Sequence, residues 1–249
     1  VYQLPQAGRT ARGKPINNLL PLEEGERITA FLPVREYSEE QFVFMATSSG
    51  TVKKCPLNAF SRPRTAGLIA LELLADDELV GVEITHGGSD IMLFASGGKA
   101  VRFNESVVRS MGRTARGVKG MRLEPGERII SLLVPEKHYI LTATENGFGK
   151  RTPLEEYPCK GRGGKGVFSI QTSARNGAVI GAVQVNEEEE IMMISDGGVL
   201  VRTRVAEISV SSRNTQGVTL IRLSSGEKLV GIERVEESAS QDESDDDEA

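Results

Sequence analysis

The sequence predicts an all-β fold built from repeated four-stranded blades, as in a propeller. The main observation is a repeat of about fifty residues, marked by the hairpin glycines Gly50, Gly98, Gly147 and Gly198, which lie 48, 49 and 51 residues apart. A fixed period in this range is typical of propellers and solenoids. In addition, no window carries a sustained apolar stripe with a 3.6-residue period, so we expect almost no helix.

Each full copy is predicted to contain four strands in a fixed order. The first strands are apolar runs rich in β-branched or aromatic residues, at 42–46, 91–95, 139–143 and 191–194. The glycine turn favours a tight hairpin, and the return strand alternates, with Val52 and Val101 on one side and Lys53 and Arg102 on the other. The third strands are predicted at 67–71, 120–123, 166–170 and 217–221, and the fourth at 79–84, 129–134, 179–183 and 229–233.

The copies form one predicted β domain, residues 1–235, followed by a tail. The repeats run over about 1–40, 41–89, 90–137, 138–189 and 190–235. In the first of them, residues 9–15 match a basic loop and residues 27–32 match a fourth strand, but the hairpin is missing. We therefore expect about five blades with the first incomplete. We also expect more chain upstream, because the sequence does not begin with Met.

Charge is divided unevenly between the repeats and the tail. Residues 236–249 hold eight acids and no base, so they are predicted to be a disordered acidic tail. Without them 27 acids face 30 bases, and the net charge changes from −5 to about +3. No apolar run approaches the roughly 20 residues that span a bilayer and no signal peptide is recognisable, so no membrane association is expected.

The sequence offers no group of residues suited to catalysis. It shows neither a Ser-His-Asp arrangement nor a cluster of His, Cys and Asp at metal-ligand spacing. Cys55 and Cys159 are expected to be reduced thiols of a cytoplasmic protein rather than a disulfide. The run at 160–166 looks like a nucleotide-binding loop, but it lacks the Walker spacing and precedes a strand. No catalytic residue, metal or cofactor is therefore predicted in this chain.

A loop rich in Arg, Lys and Gly recurs at the same phase of every copy. These loops are residues 9–14, 62–67, 113–120, 160–166 and 212–217. Glycines let the backbone approach a ligand closely, while Arg and Lys neutralise phosphates, so the loops point to a polyanion. Aromatic residues for stacking are few, which favours duplex DNA over single strands or RNA. Basic loops also make a surface soluble, but five of them at one phase of a repeat favour binding.

The predicted contacts are with the DNA backbone, which provides affinity and register without reading bases. The predicted DNA-binding residues are Arg9, Arg12, Lys14, Lys53, Lys54, Arg62, Arg64, Arg102, Arg113, Arg116, Lys119, Lys150, Arg151, Lys160, Arg162, Lys165, Arg202 and Arg213. The charge is unequal between copies, because the loops at 113–120 and 160–166 are rich in bases while the loop around Arg213 is nearly bare.

Several stretches resemble one known family. Residues 1–5, 44–47, 50–54, 191–194, 201–205 and 213–218, and the acidic tail, are similar to the C-terminal domain of the bacterial DNA gyrase A protein, part of a type IIA DNA topoisomerase. The resemblance covers essentially residues 1–235. It implies a β-pinwheel, a propeller-like disc, acting as a non-catalytic domain that wraps double-stranded DNA around its rim. It also implies an A2B2 holoenzyme of gyrase A and gyrase B proteins, which uses ATP and Mg²⁺ for negative supercoiling in the cytoplasm, at the nucleoid.

The family's hallmark is a Gln-Arg-Arg-Gly-Gly-Lys-Gly box in the first blade. Residues 160–166 match it at five of seven positions but lie in the penultimate repeat, so the box itself is expected upstream. Two alternative functions stay open: the equivalent domain of topoisomerase IV, and a propeller-type protein-interaction module. Two interpretations of the tail also stay open: the acids at 245–248 compete with DNA for the basic loops, or the tail is simply a solvated terminus.

Overall fold

The computed structural model describes residues 8, 10–13, 15, 18, 20, 22, 24–64 and 67–235 of the chain. Within these ranges it contains fifteen β-strands and several short 3₁₀ helices, and no α-helix. The structure therefore confirms the predicted all-β class.

The strands follow the predicted repeat. The copy at 41–89 contributes β1 (Phe42–Thr47), β2 (Thr51–Pro56) and β3 (Leu79–Thr85). The next copy contributes β4 (Asp90–Ala95), β5 (Lys99–Asn104), β6 (Val118–Lys119) and β7 (Ile129–Leu133). The third full copy contributes β8 (Tyr139–Thr144), β9 (Phe148–Pro153), β10 (Val167–Phe168) and β11 (Val179–Val185). The last contributes β12 (Glu190–Ser195), β13 (Leu200–Arg204), β14 (Val218–Thr219) and β15 (Leu229–Val235). A 3₁₀ helix follows each hairpin, at Leu57–Phe60, Glu105–Val107, Leu154–Glu156 and Val205–Glu207.

Antiparallel pairing arranges these strands into four sheets. Their orders are β3-β1-β2-β6, β10-β5-β4-β7, β11-β8-β9-β14 and β13-β12-β15. Each sheet holds a hairpin and the closing strand of one copy, and the first three gain the two-residue strand of the next copy as a fourth member. In the first sheet, for example, Thr51 pairs with Lys119 and Val52 with Val118. Blades are thus completed across a repeat boundary, which the period alone does not reveal.

Glycine at the hairpin turn allows the next copy to pair with the hairpin. Gly50, Gly98 and Gly147 have φ of 82°, 90° and 79°, in the left-handed region that other residues avoid. The carbonyl of Gly98 accepts the N–H groups of Ser169 and Ile170 from the next copy, at 2.8 and 3.1 Å. A Cβ on Gly98 would lie 2.2 Å from the Ile170 carbonyl oxygen. The turn therefore needs glycine both for its dihedral angle and for the close approach of the next copy.

Neighbouring copies also share their apolar core. Leu141 and Ala143 of β8 are buried in one cluster with Ile191 and Met193 of β12 and Leu229 of β15. These side chains of two consecutive copies therefore exclude water together, as expected for a repeat architecture in which one copy cannot bury its apolar face alone.

Two predicted strands near the start of the chain do not form, and the third strand predicted at 120–123 lies instead at Val118–Lys119. Residues 27–32 and 67–71 are described, and neither is a strand. In later copies the short strand pairs with the preceding hairpin, and the closing strand pairs with the first strand of its own copy. The described part of the chain has no hairpin before β1, so both segments lack a ladder partner there. The predicted acidic tail at 236–249 lies outside the described residues.

The chain forms two compact units. One holds the described residues up to Leu93 together with Val101–Val134 and Cys159–Gly166. The other holds Phe94–Ala100, Pro135–Pro158 and the described residues from Val167 onward. The basic loops at 113–119 and 160–165 therefore lie in one unit, and Arg213 lies in the other.

Three further observations concern the cysteines, membrane-spanning helices and metal ligands. Both cysteines are free thiols, Cys55 buried and Cys159 exposed. Of the helices in the described part, none has the length and apolar character required to span a bilayer. Among the described side chains, no three of His, Cys, Asp or Glu converge as metal ligands would.

Candidate nucleic-acid interface

The structure leaves half of the predicted DNA-binding residues exposed. The exposed ones are Arg12, Arg62, Arg64, Arg116, Lys119, Lys160, Arg162, Lys165 and Arg202. Arg102, Arg113 and Arg213 are half-buried, and Arg9 and Lys14 lie outside the described residues. The two most basic loops, 113–119 and 160–165, belong to the same unit, whereas Arg202 and Arg213 belong to the other.

Four of the predicted residues are instead buried. Lys53, Lys54, Lys150 and Arg151 have 0, 6, 0 and 5% of their surface exposed. They lie on the return strands β2 and β9, each of which has a neighbouring strand on both sides. Val52 is buried as well, so both faces of β2 are covered and alternation does not bring Lys53 to solvent. These four cations therefore do not belong to the candidate interface.

Two of the buried lysines hold the backbone of the next copy's basic loop. The Lys53 ammonium donates to the carbonyl of Ala70 at 2.7 Å and to the carbonyl of Arg113. The Lys150 ammonium donates in the same way to the carbonyl of Arg213, at 2.7 Å. Burial lowers the pKa of both amines, and the pKa of Lys150 falls to about 8, with the charge of Arg213 acting in the same direction.

The next residue of each strand, Lys54 or Arg151, contacts the next copy at its 3₁₀ helix or directly after it. The Lys54 ammonium donates to the carbonyl of Glu105 at 3.0 Å and lies 3.7 Å from its carboxylate. Arg151 Nε donates to the carbonyl of Ile208 at 2.6 Å, and Nη2 donates to the carboxylate of Glu187 at 2.8 Å. Both cations therefore serve the packing of consecutive copies.

Three equivalent arginines connect the last three basic loops with the preceding copy. Arg113, Arg162 and Arg213 donate to the backbone carbonyls of Ile69 at 3.2 Å, Lys119 at 3.0 Å and Phe168 at 3.1 Å, respectively. A backbone bond from Arg122 N–H to the Gly164 carbonyl, 2.9 Å long, adds to this connection. The loops at 113–119 and 160–165 thus form one continuous basic surface within their unit, which we call the paired basic loops.

Acidic side chains already contact two exposed bases of the paired basic loops. Arg116 lies 3.0 Å from Glu72, and Lys165 lies 2.8 Å from Glu124. Hydrogen bonding to Arg116 lowers the pKa of Glu72. Because all four side chains are well exposed, each pair contributes little stability and a phosphate can replace the carboxylate.

Two exposed arginines that were not predicted from the sequence lie close in the chain to predicted ones. Arg109 precedes Arg113 by four residues, and Arg204 follows Arg202 by two residues on β13. Alternate residues of a strand share a face, so the spacing of two could have indicated Arg204 together with Arg202. Arg109 lacks such a signal, because it lies in the irregular segment between the 3₁₀ helix and the basic loop.

The fold and this surface define a propeller-type protein whose blades carry basic loops at one phase of the repeat. A family model described as "DNA gyrase C-terminal domain, beta-propeller" matches residues 1–35, 41–86, 89–136, 138–186 and 189–236. The chain belongs to this DNA gyrase C-terminal domain family, as the resemblance in its sequence indicates.

Relatives of the chain are much longer proteins. The DNA gyrase A protein of Salmonella typhimurium is 58% identical over 246 residues, which cover 98% of this chain and 28% of that protein. The DNA gyrase A protein of Escherichia coli K12 is 56% identical with the same coverage. The chain thus spans less than a third of the length of these curated relatives.

Solved structures share the fold. A DNA gyrase A C-terminal domain superposes with a TM-score of 0.80 at 25% identity, covering 90% of this chain and 75% of the other. A C-terminal domain of DNA topoisomerase IV superposes with a TM-score of 0.84 at 27% identity, covering 90% and 71%. Together with the family match, these likenesses confirm the predicted β-pinwheel class.

Proposed function

We propose that this chain is a non-catalytic domain that binds and wraps duplex DNA as part of a gyrase A protein. The observation that supports this best is the paired basic loops, which bring Arg116, Lys119, Lys160, Arg162 and Lys165 together in one unit, all exposed. Cations arranged in this way neutralise phosphates and release counterions, which makes binding strong at low salt and weak at high salt.

The chemistry of the loops favours the backbone of a duplex. The paired basic loops contain Arg, Lys, Gly, Thr, Ala and Val but no aromatic residue, so they offer no platform on which single-stranded bases could stack. Gly163 has φ of 77° and its neighbours are exposed, which lets the backbone approach a phosphate. Phosphate contacts of this kind predict little sequence preference.

The family of the domain supports a role in a larger enzyme. We infer that it belongs to an A2B2 assembly with the rest of the gyrase A protein and with the gyrase B protein, an ATP-hydrolysing type IIA topoisomerase that introduces negative supercoils. Strand cleavage and the binding of ATP and Mg²⁺ belong to other parts of that assembly, so this domain needs no cofactor. The substrate is chromosomal DNA, which locates the protein in the cytoplasm at the nucleoid.

Salt-dependent binding of a labelled duplex tests DNA recognition. Changing Arg116, Lys119, Arg162 and Lys165 together to Gln should reduce the steepness of log Kd against log salt by about 3 to 4. The matched control changes four exposed arginines outside the basic loops, Arg27, Arg35, Arg175 and Arg222, to Gln. Binding that is indifferent to salt, or an equal loss in both variants, would contradict the proposal.

A separate measurement tests wrapping. Nicked circular DNA is sealed by ligase with the domain bound, and the linking number is measured after the protein is removed. A wrapped path leaves a linking difference of one sign that grows with the amount of protein. Tight binding with an unchanged linking number would reduce the proposal to DNA binding alone.

The equivalent domain of topoisomerase IV is the second candidate, because its solved structure gives a TM-score of 0.84 against 0.80 for the gyrase domain. The relatives at 58% and 56% identity favour gyrase. Exchanging the matching segment of a gyrase A protein for this chain discriminates the two functions. ATP-dependent negative supercoiling by the hybrid supports gyrase, whereas relaxation and decatenation without supercoiling support topoisomerase IV.

A further inference from the structure

The basic loops at 111–117 and 211–217 each accept a hydrogen bond from a buried lysine of the preceding copy. The copy that precedes the loop at 160–166 has Val101 at the position of this lysine. We propose that Lys53 and Lys150 are positioning residues, which fix the backbone of the loops at 111–117 and 211–217, and that the fixed first loop presents the exposed Arg116, with Lys119 just after the loop, to DNA. The role in DNA binding rests on the proposed function, while the structural part of the inference does not.

The lysines occupy one position of the repeat, three residues after the hairpin glycine. Lys53 and Lys150 are both fully buried there. The same position holds Val101 and Val201 in the other two copies. Because β5 and β13 form with valine, the hairpin itself does not require a lysine. A buried ammonium is unfavourable unless it is well hydrogen-bonded, so its presence calls for a specific role.

The contacts of these lysines indicate that role. Each ammonium donates to the carbonyl of the equivalent arginine in the next copy, Arg113 for Lys53 and Arg213 for Lys150. The guanidinium of each arginine in turn donates to a carbonyl of the preceding copy, Ile69 for Arg113 and Phe168 for Arg213. The arginine is therefore held at its backbone and at its side chain, and the position of the whole loop is determined.

The loop between them is held differently. In the copy before this loop, Val101 occupies the position of the lysine. The loop itself carries glycine at 161, 163, 164 and 166. Arg162 Nε donates to the carbonyl of Val107 at 3.1 Å, so an exposed guanidinium takes the place of a buried ammonium. Of these three loops, only the two at 111–117 and 211–217 are held by a buried lysine.

Hydrogen–deuterium exchange on the full chain tests the structural part without DNA. Lys53→Val introduces the residue that two other copies carry at this position, and should raise amide exchange in residues 111–117 about fivefold or more. The amides of Met111 and Ala115, which bond the carbonyls of Lys54 and Gly112, report it directly. The control is Thr144→Val, which removes a buried hydroxyl that donates to the carbonyl of Phe148, away from this loop. Unchanged exchange in residues 111–117 would overturn the inference.

Lys150→Val repeats the test at residues 211–217, and decides the inference if the first variant does not fold. The Lys150 ammonium also donates to the Ser212 carbonyl, so exchange should rise at the start of that loop. If both lysine variants give the wild-type exchange pattern, the lysines have no positioning role.

A double-mutant cycle tests the effect on DNA. Lys53→Val should weaken duplex binding about fivefold to tenfold in the otherwise unchanged protein. In a protein that already carries Arg116→Gln and Lys119→Gln, it should have almost no effect, because positioning acts through these two bases. An equal loss in both backgrounds would show a purely electrostatic contribution and overturn the positioning role. Wild-type protein that does not bind duplex would refute the proposed function, and the exchange measurement would still decide the structural part.

Discussion

Lysines have opposite roles in this protein, depending on whether the next copy covers them. Lys53 is buried and bonds backbone carbonyls, whereas Lys119, on the neighbouring strand of the same sheet, is exposed. Composition and spacing predict both as DNA contacts. The difference could not be predicted, because it depends on β6 covering the outer edge of β2 and on the loop that Lys53 reaches.

At this scale we expect Glu72→Gln to strengthen DNA binding. The carboxylate of Glu72 holds Arg116 at 3.0 Å, and removing its charge frees the guanidinium for a phosphate. The gain should be about 1.5-fold to fivefold in affinity at low salt, the range expected for an exposed ion pair. Titration of a labelled duplex by fluorescence anisotropy measures it.

The control for this prediction is Glu188→Gln, an equal charge change in the exposed turn between β11 and β12. If both variants gain equally, net charge rather than the pairing with Arg116 is responsible. A loss of affinity in Glu72→Gln would show that the pair orients the arginine for DNA.

A second prediction concerns Lys150 and pH. Burial lowers the pKa of Lys150 from 10.5 to about 8 in the folded protein. Between these pH values the unfolded chain binds more protons than the folded one, so the contribution of this residue to the free energy of unfolding rises with pH. Urea unfolding at several pH values measures this contribution. The free energy of unfolding of the wild type minus that of Lys150→Val should increase from pH 8 to about 10. Thr144→Val, which removes a buried hydroxyl and no titratable group, should give a flat difference, and a difference that falls with pH for Lys150 would refute this account.

At the scale of the element, the hairpins and closing strands were predictable and the short strands were not. Apolar runs between glycine turns give the first strands to within a residue, for example 139–143 against Tyr139–Thr144. The two-residue strands form only where a preceding hairpin offers an edge, so the period predicts their place but not their partner. The same dependence explains why residues 67–71 form no strand.

The hairpin glycine provides a test of this exchange between copies. Gly147→Ala should destabilise the protein more than Gly198→Ala does. Both glycines have positive φ, 79° and 81°, so each alanine adds about 1–2 kcal/mol of backbone strain. A Cβ on Gly147 would lie 2.5 Å from the Ile221 carbonyl oxygen, whereas one on Gly198 meets no described atom within 4 Å. The clash should add about 1–3 kcal/mol to the loss of unfolding free energy in urea, and equal losses would argue against docking at the glycine.

At the scale of the whole molecule, the chain combines an uneven set of basic loops with an acidic tail. The loops at 113–119 and 160–165 carry five of the nine exposed bases that were predicted to bind DNA and belong to one unit, while the other unit carries fewer exposed bases. This inequality is visible in the sequence, because it is a matter of composition at one phase of the repeat. Which of the bases are accessible is decided by contacts between copies, and those require the structure.

The charge of the tail gives the last prediction. Residues 236–249 hold eight acids, and a polyanion attached to the domain competes with phosphates for the basic loops at a high effective concentration. Deleting them should raise duplex affinity several-fold at low salt, and the gain should fade as salt shortens the Debye length from about 10 Å at 0.1 M towards about 3 Å at 1 M. A tail of the same length with every acid changed to its amide should behave like the deletion, because charge rather than bulk is responsible. If neither variant changes affinity at any salt concentration, the tail is a solvated terminus and the loops alone determine DNA binding.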